Sequence, residues 1–124
     1  MKLNTFMVIS AIVAFIFGLG FILAPVPVMS LYGVTLDASG EFLGRYMGAS
    51  FIGLAFLAWE TRNAAASQMR RVVLIALFIT TVLGFVVALY DKFAGVGNAL
   101  VWLSVVIYLL LALGFGYFSF IKKD

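Results

Sequence analysis

Four long apolar stretches separated by short links account for most of the chain. They run from Thr5 to Ala24, from Glu41 to Trp59, from Val72 to Tyr90 and from Ala99 to Phe120. An α-helix rises about 1.5 Å per residue, so about 20 apolar residues cross the roughly 30 Å hydrocarbon core of a bilayer. Backbone N–H and C=O groups in lipid must pair within their own segment, which favours helices. The pattern predicts an all-α, integral membrane four-helix bundle, with residues 1–124 forming one transmembrane domain.

Composition supports this prediction and removes several kinds of chemistry. The sequence is 65% hydrophobic and 10% charged, whereas soluble domains carry about 25% charged residues. It contains no cysteine and no histidine, so it offers no thiolate, no imidazole base and no conventional zinc site. It also contains no phosphate-binding loop, nucleophile elbow or metal-ligand spacing. We therefore predict no catalytic residues, no metal and no cofactor, and an enzymatic activity has little support.

The basic residues are distributed unevenly between the two sides of the predicted bundle. The side that holds both termini carries Lys2, Arg62, Arg70, Arg71, Lys122 and Lys123. The opposite side carries Lys92 and, at the mouth of the second helix, Arg45. Lysine and arginine are enriched in cytoplasmic segments of membrane proteins, so both termini are predicted to be cytoplasmic. The net charge of +3 is then explained by topology and anionic lipid, and no nucleic-acid partner is predicted.

The predicted outer link, residues 25–40, is unusually apolar for a segment between two spans. It carries no charge before Asp37, and Pro25 and Pro27 stop the first helix. Two interpretations are open: an ordinary interfacial loop, or a lid that folds over an outer cavity. Asp37 lies where an N-cap for the second helix belongs, because its carboxylate can accept from free backbone N–H groups.

Small residues at four-residue spacing predict where the helices approach one another. Lipid tails are as apolar as leucine, so membrane helices associate through close backbone contact at small residues. The second helix carries Gly40, Gly44 and Gly48, and the third carries Ala76 and Gly84. These rows are predicted to pack the helices of one chain, or alternatively to form a homo-oligomer.

Arg45 is the most informative charged residue, because it lies about one turn inside the second helix. Arginine at mid-membrane costs roughly 2.5–3.5 kcal/mol on insertion scales, and less near a helix end. Arg45 lies three residues before Gly48, beside the glycine row, so it is predicted to face the bundle interior. Glu41 lies four residues earlier on the same face, suitably placed for an ion pair. Asp91 and Ser104 are predicted at a similar depth, and Tyr46 is adjacent. Either these residues anchor an anion or a polar headgroup beneath the link, or Arg45 snorkels to the interface and pairs with Glu41.

A second, weaker set of polar residues lies near the predicted midplane. Ser50, Thr80, Thr81 and Tyr108 occupy similar depths in their helices. They either line a small polar pocket or, for the serine and threonines, bond to carbonyls one turn back, as is common in membrane helices.

The segment from Gly18 to Arg62 carries a recognisable pattern. Its members are Gly18, Ala24-Pro25, Tyr32-Gly33-Val34, Asp37, Gly40, Arg45, Gly48-Ala49, Gly53-Leu54-Ala55 and Ala58-Trp59. The pattern resembles small bacterial four-helix membrane proteins of unknown function that are grouped with the DoxX-like superfamily. The resemblance implies a four-helix bundle in the bacterial inner (plasma) membrane and implies no activity. DoxX relatives have been linked to quinone or thiol redox systems, and this chain has no cysteine for thiol chemistry.

Two functions follow as expectations. The first is a non-enzymatic accessory or oligomeric membrane component. The alternative is a binder of a lipid, quinone or similar amphiphile in an outer-leaflet pocket near Arg45. The expected partners are membrane lipids and either further copies of the chain or a larger membrane complex.

Overall fold

The structure is a computed structural model that describes residues 1–121, and its elements are helical. They are α1 (Leu3–Leu23), α2 (Pro25–Leu31), α3 (Ala38–Thr61), α4 (Gln68–Phe93), α5 (Val101–Gly116) and a π-helical turn (Tyr117–Ile121) that continues α5. No strand occurs within the described residues, so the predicted all-helical class is confirmed for that part of the chain. Lys122 and Lys123, predicted on the side of the termini, lie outside it.

Four helices are long and apolar enough to cross a membrane: α1, α3, α4, and α5 together with its π-helical turn. Two of the helices, α3 and α4, begin before the predicted stretches because polar side chains cap them. The Asp37 carboxylate accepts from the Gly40 N–H at 2.8 Å, as predicted, and α3 therefore begins before Glu41. The Ser67 hydroxyl accepts from the Arg70 N–H at 3.2 Å, and α4 begins four residues before Val72. Hydropathy locates the apolar part of a helix, whereas caps fix its ends.

The spanning helices form two antiparallel pairs, α1 with α3 and α4 with α5. The first pair crosses where two glycines meet: a Cβ added at position 48 would lie 2.7 Å from the Gly18 carbonyl oxygen. At one end of this pair the Asn4 amide donates to the Arg62 carbonyl oxygen at 3.3 Å. Gly48 therefore allows the close backbone approach that the sequence predicted for it.

The two ends of the bundle differ in their connections. The terminal end is formed by residues 1–3, the turn at residues 62–67 and the π-helical turn, and the loop end by residues 24–37 and 94–100. The buried core lies toward the terminal end and comprises Phe6, Met7, Ala11, Ala58, Leu74, Leu77, Phe115 and Phe118. The Phe6 and Phe115 rings meet edge to face with centroids 4.8 Å apart, which joins the two helix pairs. The pairs are therefore held firmly together at the terminal end.

The other predicted packing residues have different surroundings. Gly44 faces Pro25, at the start of the link, and Gly40 lies against Leu36 in the turn before its own helix. The Tyr108 ring lies directly over Gly84, so this glycine provides space for a side chain of α5. Ala76 is exposed on the outer face of α4, so it does not join the packing predicted for it within the chain.

The link between the first two spans contains α2, a short helix that the sequence analysis did not predict. Proline fits the first position of a helix because its missing N–H would be unpaired there anyway, and Pro25 begins α2. The link then turns back toward the second loop. The Asn98 backbone N–H donates to the Tyr32 carbonyl oxygen at 2.7 Å, and the Asn98 amide donates to the Leu31 carbonyl oxygen at 3.0 Å. The two loops thus form one hydrogen-bonded layer over the loop end.

Candidate functional site

A cavity of about 300 Å³ lies between the two helix pairs. This volume is at the lower end of the range of about 300–1,000 Å³ that small-molecule sites occupy. All four spanning helices contribute to its wall, and Met29, Tyr32 and Val34 of the link close its loop end. The link therefore folds over a cavity rather than forming a separate interfacial loop.

Each spanning helix faces the cavity with residues three or four positions apart, the spacing of one helical face. These faces are Ser10, Ala14, Phe17 and Phe21 on α1; Met47, Phe51, Leu54 and Ala58 on α3; Leu77, Thr81, Gly84, Ala88 and Asp91 on α4; and Val101, Ser104, Tyr108, Leu111 and Phe115 on α5. Most of these side chains are apolar or aromatic. The wall therefore suits a ligand that is apolar over most of its surface.

The hydroxyl groups of the threonines in the wall are already bonded to the backbone. The Thr80 hydroxyl donates to the Ala76 carbonyl oxygen at 2.8 Å, and the Thr81 hydroxyl donates to the Leu77 carbonyl oxygen at 2.8 Å. The Ser10 hydroxyl does the same with the Phe6 carbonyl oxygen at 2.9 Å. Bonding one turn back satisfies the donor without an external partner.

A second group of hydroxyls, nearer the loop end, keeps donors or acceptors that a ligand could use. The Ser104 hydroxyl donates to the Tyr32 phenolic oxygen at 3.2 Å, joining α5 to the link. Tyr108 lies one turn from Ser104 on the same face. Within residues 1–121 its hydroxyl forms no hydrogen bond, so it can donate to or accept from a molecule in the cavity.

Asp91 brings a negative charge to the loop end of the cavity. It is the only charged residue in the wall among the residues that the structure describes. It lies in the last turn of α4, where the helix dipole disfavours a negative charge. Its carboxylate forms no ion pair or hydrogen bond within the described part of the chain. Residues 1–121 also contain no cluster of three or more His, Cys, Asp or Glu side chains that could hold a metal ion.

The predicted site residues divide into two groups. The cavity wall includes Asp91, Ser104, Thr80, Thr81 and Tyr108. Outside it lie Arg45, Glu41, Tyr46 and Ser50 on α3. The structure thus places the predicted site residues of α4 and α5 in one cavity wall. The predicted site residues of α3 lie outside that wall, although another face of α3 contributes to it.

Arg45 is exposed rather than turned toward the bundle interior, which corrects the sequence-based expectation. It lies two positions before Met47 of the cavity face, and two positions on a helix differ by about 200°. Within the described residues Arg45 and Glu41 form no ion pair. Tyr46 is also exposed, and its ring packs edge to face on Phe42 with centroids 4.8 Å apart. The Ser50 hydroxyl donates to the Tyr46 carbonyl oxygen at 3.2 Å.

Sequence reasoning missed the contribution of Tyr32 to the site. It is buried, and it reaches Ser104 across the fold from the link. No local periodicity marks such a contact, because the two residues are far apart in the chain and the link is not a spanning helix. The spacing of Ser104, Tyr108 and Leu111 on one helical face was the available signal for the α5 wall.

The cavity is not fully enclosed by the bundle. Met47 of α3 and Val87 of α4 both line it, yet they are 40% and 58% exposed. The packing between the two helix pairs is sparse compared with the packing inside each pair. The cavity wall is therefore in part accessible from outside the bundle.

Comparison with known proteins identifies a family but no activity. Neither the curated proteins nor the solved structures contain a significant match to the chain. Residues 1–120 match a domain of unknown function, DUF8292. Because this match covers nearly the whole chain, the protein belongs to the DUF8292 family.

Proposed function

We propose that the protein is a non-enzymatic membrane component that binds a lipid, quinone or similar amphiphile in the cavity between its two helix pairs. The observation that carries the proposal is the cavity of about 300 Å³ with an apolar wall. An apolar group that enters such a wall leaves water or headgroups and gains dispersion contacts with the wall atoms.

The positions of the polar groups support an amphiphile rather than a wholly apolar ligand. Tyr32, Ser104 and Asp91 all lie toward the loop end, whereas Phe115 and Leu77 close the other end of the cavity. A ligand with its headgroup at the loop end and its tail toward the core would satisfy both regions. This site differs in position from a pocket at Arg45, which lies outside the cavity wall.

We also propose that the protein lies in the bacterial inner membrane with both termini in the cytoplasm. The terminal end carries Lys2, Arg62, Arg70 and Arg71 among the described residues, which agrees with the enrichment of basic residues on that side. The Arg62 guanidinium lies 3.8 Å from the centroid of the Trp59 ring, an arrangement suited to the interface. The relationship to the DoxX-like superfamily stays a prediction from the sequence pattern.

Mass spectrometry of lipids that co-purify with the protein tests the cavity as a binding site. Ala14 is half-buried in the cavity wall, so Ala14→Phe would fill part of the space. Ala76 is exposed and outside the wall, so Ala76→Phe adds the same group elsewhere. We expect an amphiphile to be retained by the wild type and by Ala76→Phe and to be lost from Ala14→Phe. An equal content in all three proteins, or none in the wild type, would contradict the proposal.

A further inference from the structure

We propose that the amphiphile carries a positively charged ammonium group, which Asp91 binds at the loop end of the cavity. This inference rests on the proposed function, because it specifies the ligand of the same site. It concerns one feature of the wall: an unpaired carboxylate at the polar end of an otherwise apolar cavity.

The first reason is the electrostatic position of Asp91. Its side chain borders a cavity that holds no other charged residue among those described, and no cation within residues 1–121 pairs with it. The C-terminal end of α4 adds partial negative charge at the same place, and Lys92 of that turn lies outside the cavity wall. An ammonium group would therefore interact favourably with both the carboxylate and the helix end, whereas an anionic headgroup would be repelled.

The second reason is the type of polar and aromatic group at the same end of the cavity wall. The Tyr32 and Ser104 hydroxyls lie in the same part of the wall and can accept hydrogen bonds. Aromatic faces attract cations, and Tyr32 and Tyr108 both border the cavity. The wall contains no arginine or lysine among its described residues, so nothing in it selects a phosphate or carboxylate ligand.

The ammonium group has two chemical sources in a membrane. It can belong to a phospholipid headgroup such as phosphatidylethanolamine, with one acyl chain in the cavity, or to a free long-chain amine. Both present the same cationic group to Asp91 and the same hydrocarbon to the apolar wall, so the experiment needs an arm for each.

The test uses the purified full chain in a neutral detergent, with dodecylammonium and its uncharged counterpart dodecanol as probes, and native mass spectrometry to measure binding. We expect the wild type to bind dodecylammonium about tenfold or more tightly than dodecanol, because uncharged dodecanol cannot form the charged hydrogen bond with the Asp91 carboxylate. Asp91→Asn should abolish this preference, and Asp91→Glu should retain it. Glu41→Gln is the matched control, because it removes a carboxylate from the loop end outside the cavity.

The outcomes separate the two proposals. Equal binding of both probes by the wild type, or an unchanged preference in Asp91→Asn, would overturn the ammonium inference. The binding function would survive that result if Ala14→Phe still displaced both probes. Failure of the wild type to bind either probe would overturn both proposals. Thermal unfolding of each variant verifies that it is folded.

The second arm measures phospholipids that co-purify from membranes containing phosphatidylethanolamine and phosphatidylglycerol. Enrichment of phosphatidylethanolamine by the wild type, lost in Asp91→Asn, would support the inference and identify a lipid headgroup as the source. Dodecylammonium binding without that enrichment would support it with a free amine as the source. Enrichment of phosphatidylglycerol by the wild type would contradict it.

Discussion

At the scale of single residues, a few side chains decide whether space inside the bundle is filled or open. Gly84 is the clearest example, because the Tyr108 ring lies over it and reaches the cavity wall from α5. Gly53 of α3 has no neighbouring side chain where a Cβ would be placed. The two glycines have the same chemistry and opposite surroundings, so they form a matched pair for mutagenesis.

Replacing Gly84 with alanine should destabilise the protein. The added methyl group would overlap with the Tyr108 ring, and overpacking of this kind typically costs about 1–3 kcal/mol. Gly53→Ala should leave stability unchanged or raise it, because alanine is the better helix former and the position is open. Thermal unfolding in detergent measures both. A Gly84→Ala protein as stable as Gly53→Ala would show that the ring does not pack on this glycine.

At the scale of elements, the loop end depends on hydrogen bonds between segments far apart in the chain. Asn98 donates from its amide to the Leu31 carbonyl oxygen, and its side-chain oxygen accepts from the Leu100 N–H at 2.9 Å. One side chain thus fixes the end of α2 and the turn before α5. Tyr32 and Val34 of the same link line the cavity, whereas Asn98 does not. Asn98 therefore holds the link in place over the cavity from outside the wall.

Asn98→Ala should loosen the link while leaving the helix pairs intact. It removes both side-chain hydrogen bonds and leaves the Leu31 carbonyl oxygen without that partner, and loss of such bonds increases local opening. Hydrogen–deuterium exchange should become faster in residues 29–36 and 97–102. Peptides from the core at the terminal end, including Phe6 and Phe115, serve as the internal control. Uniformly faster exchange throughout the chain would mean that the effect is global instead.

The elements also show the limit of reasoning from periodicity. The four spans were predictable because an apolar run of about 20 residues is long enough to cross a bilayer as one helix. The short α2 was not, because an apolar link with two prolines resembles a break in structure until its contacts are known. Arg45 was expected to face inward from its position beside Gly48. Its actual direction follows from which face of α3 borders the cavity, and that depends on the neighbouring helices.

At the scale of the whole molecule, the buried core joins the two helix pairs at the terminal end, and the cavity separates them between that core and the link. The Phe6 and Phe115 contact ties the pairs together, while the partly exposed Met47 and Val87 side chains line the cavity. If the termini are cytoplasmic, the polar end of the cavity at Tyr32, Ser104 and Asp91 lies toward the outer leaflet.

The orientation can be tested with single cysteines, because the natural sequence contains none. Ala66 and Ala94 are both exposed, and they lie in turns at opposite ends of the bundle. In intact cells, a membrane-impermeant maleimide should label Ala94→Cys and should label Ala66→Cys only after permeabilisation. The reverse pattern would place the termini outside, and labelling of both in intact cells would contradict a four-span topology.

The sequence by itself determined the helical class and four helices long and apolar enough to span a membrane, because the cost of exposing backbone polar groups and charges to hydrocarbon leaves few arrangements for such apolar runs. It also indicated Gly48 and Gly84 as positions of close packing. Only the tertiary structure decided that Asp91, Ser104 and Tyr108 meet Tyr32 around one cavity while Arg45 stays outside. The physical reason is that hydropathy reports the depth of a residue in the membrane, whereas the direction of its side chain is set by helix packing, which no single helix specifies.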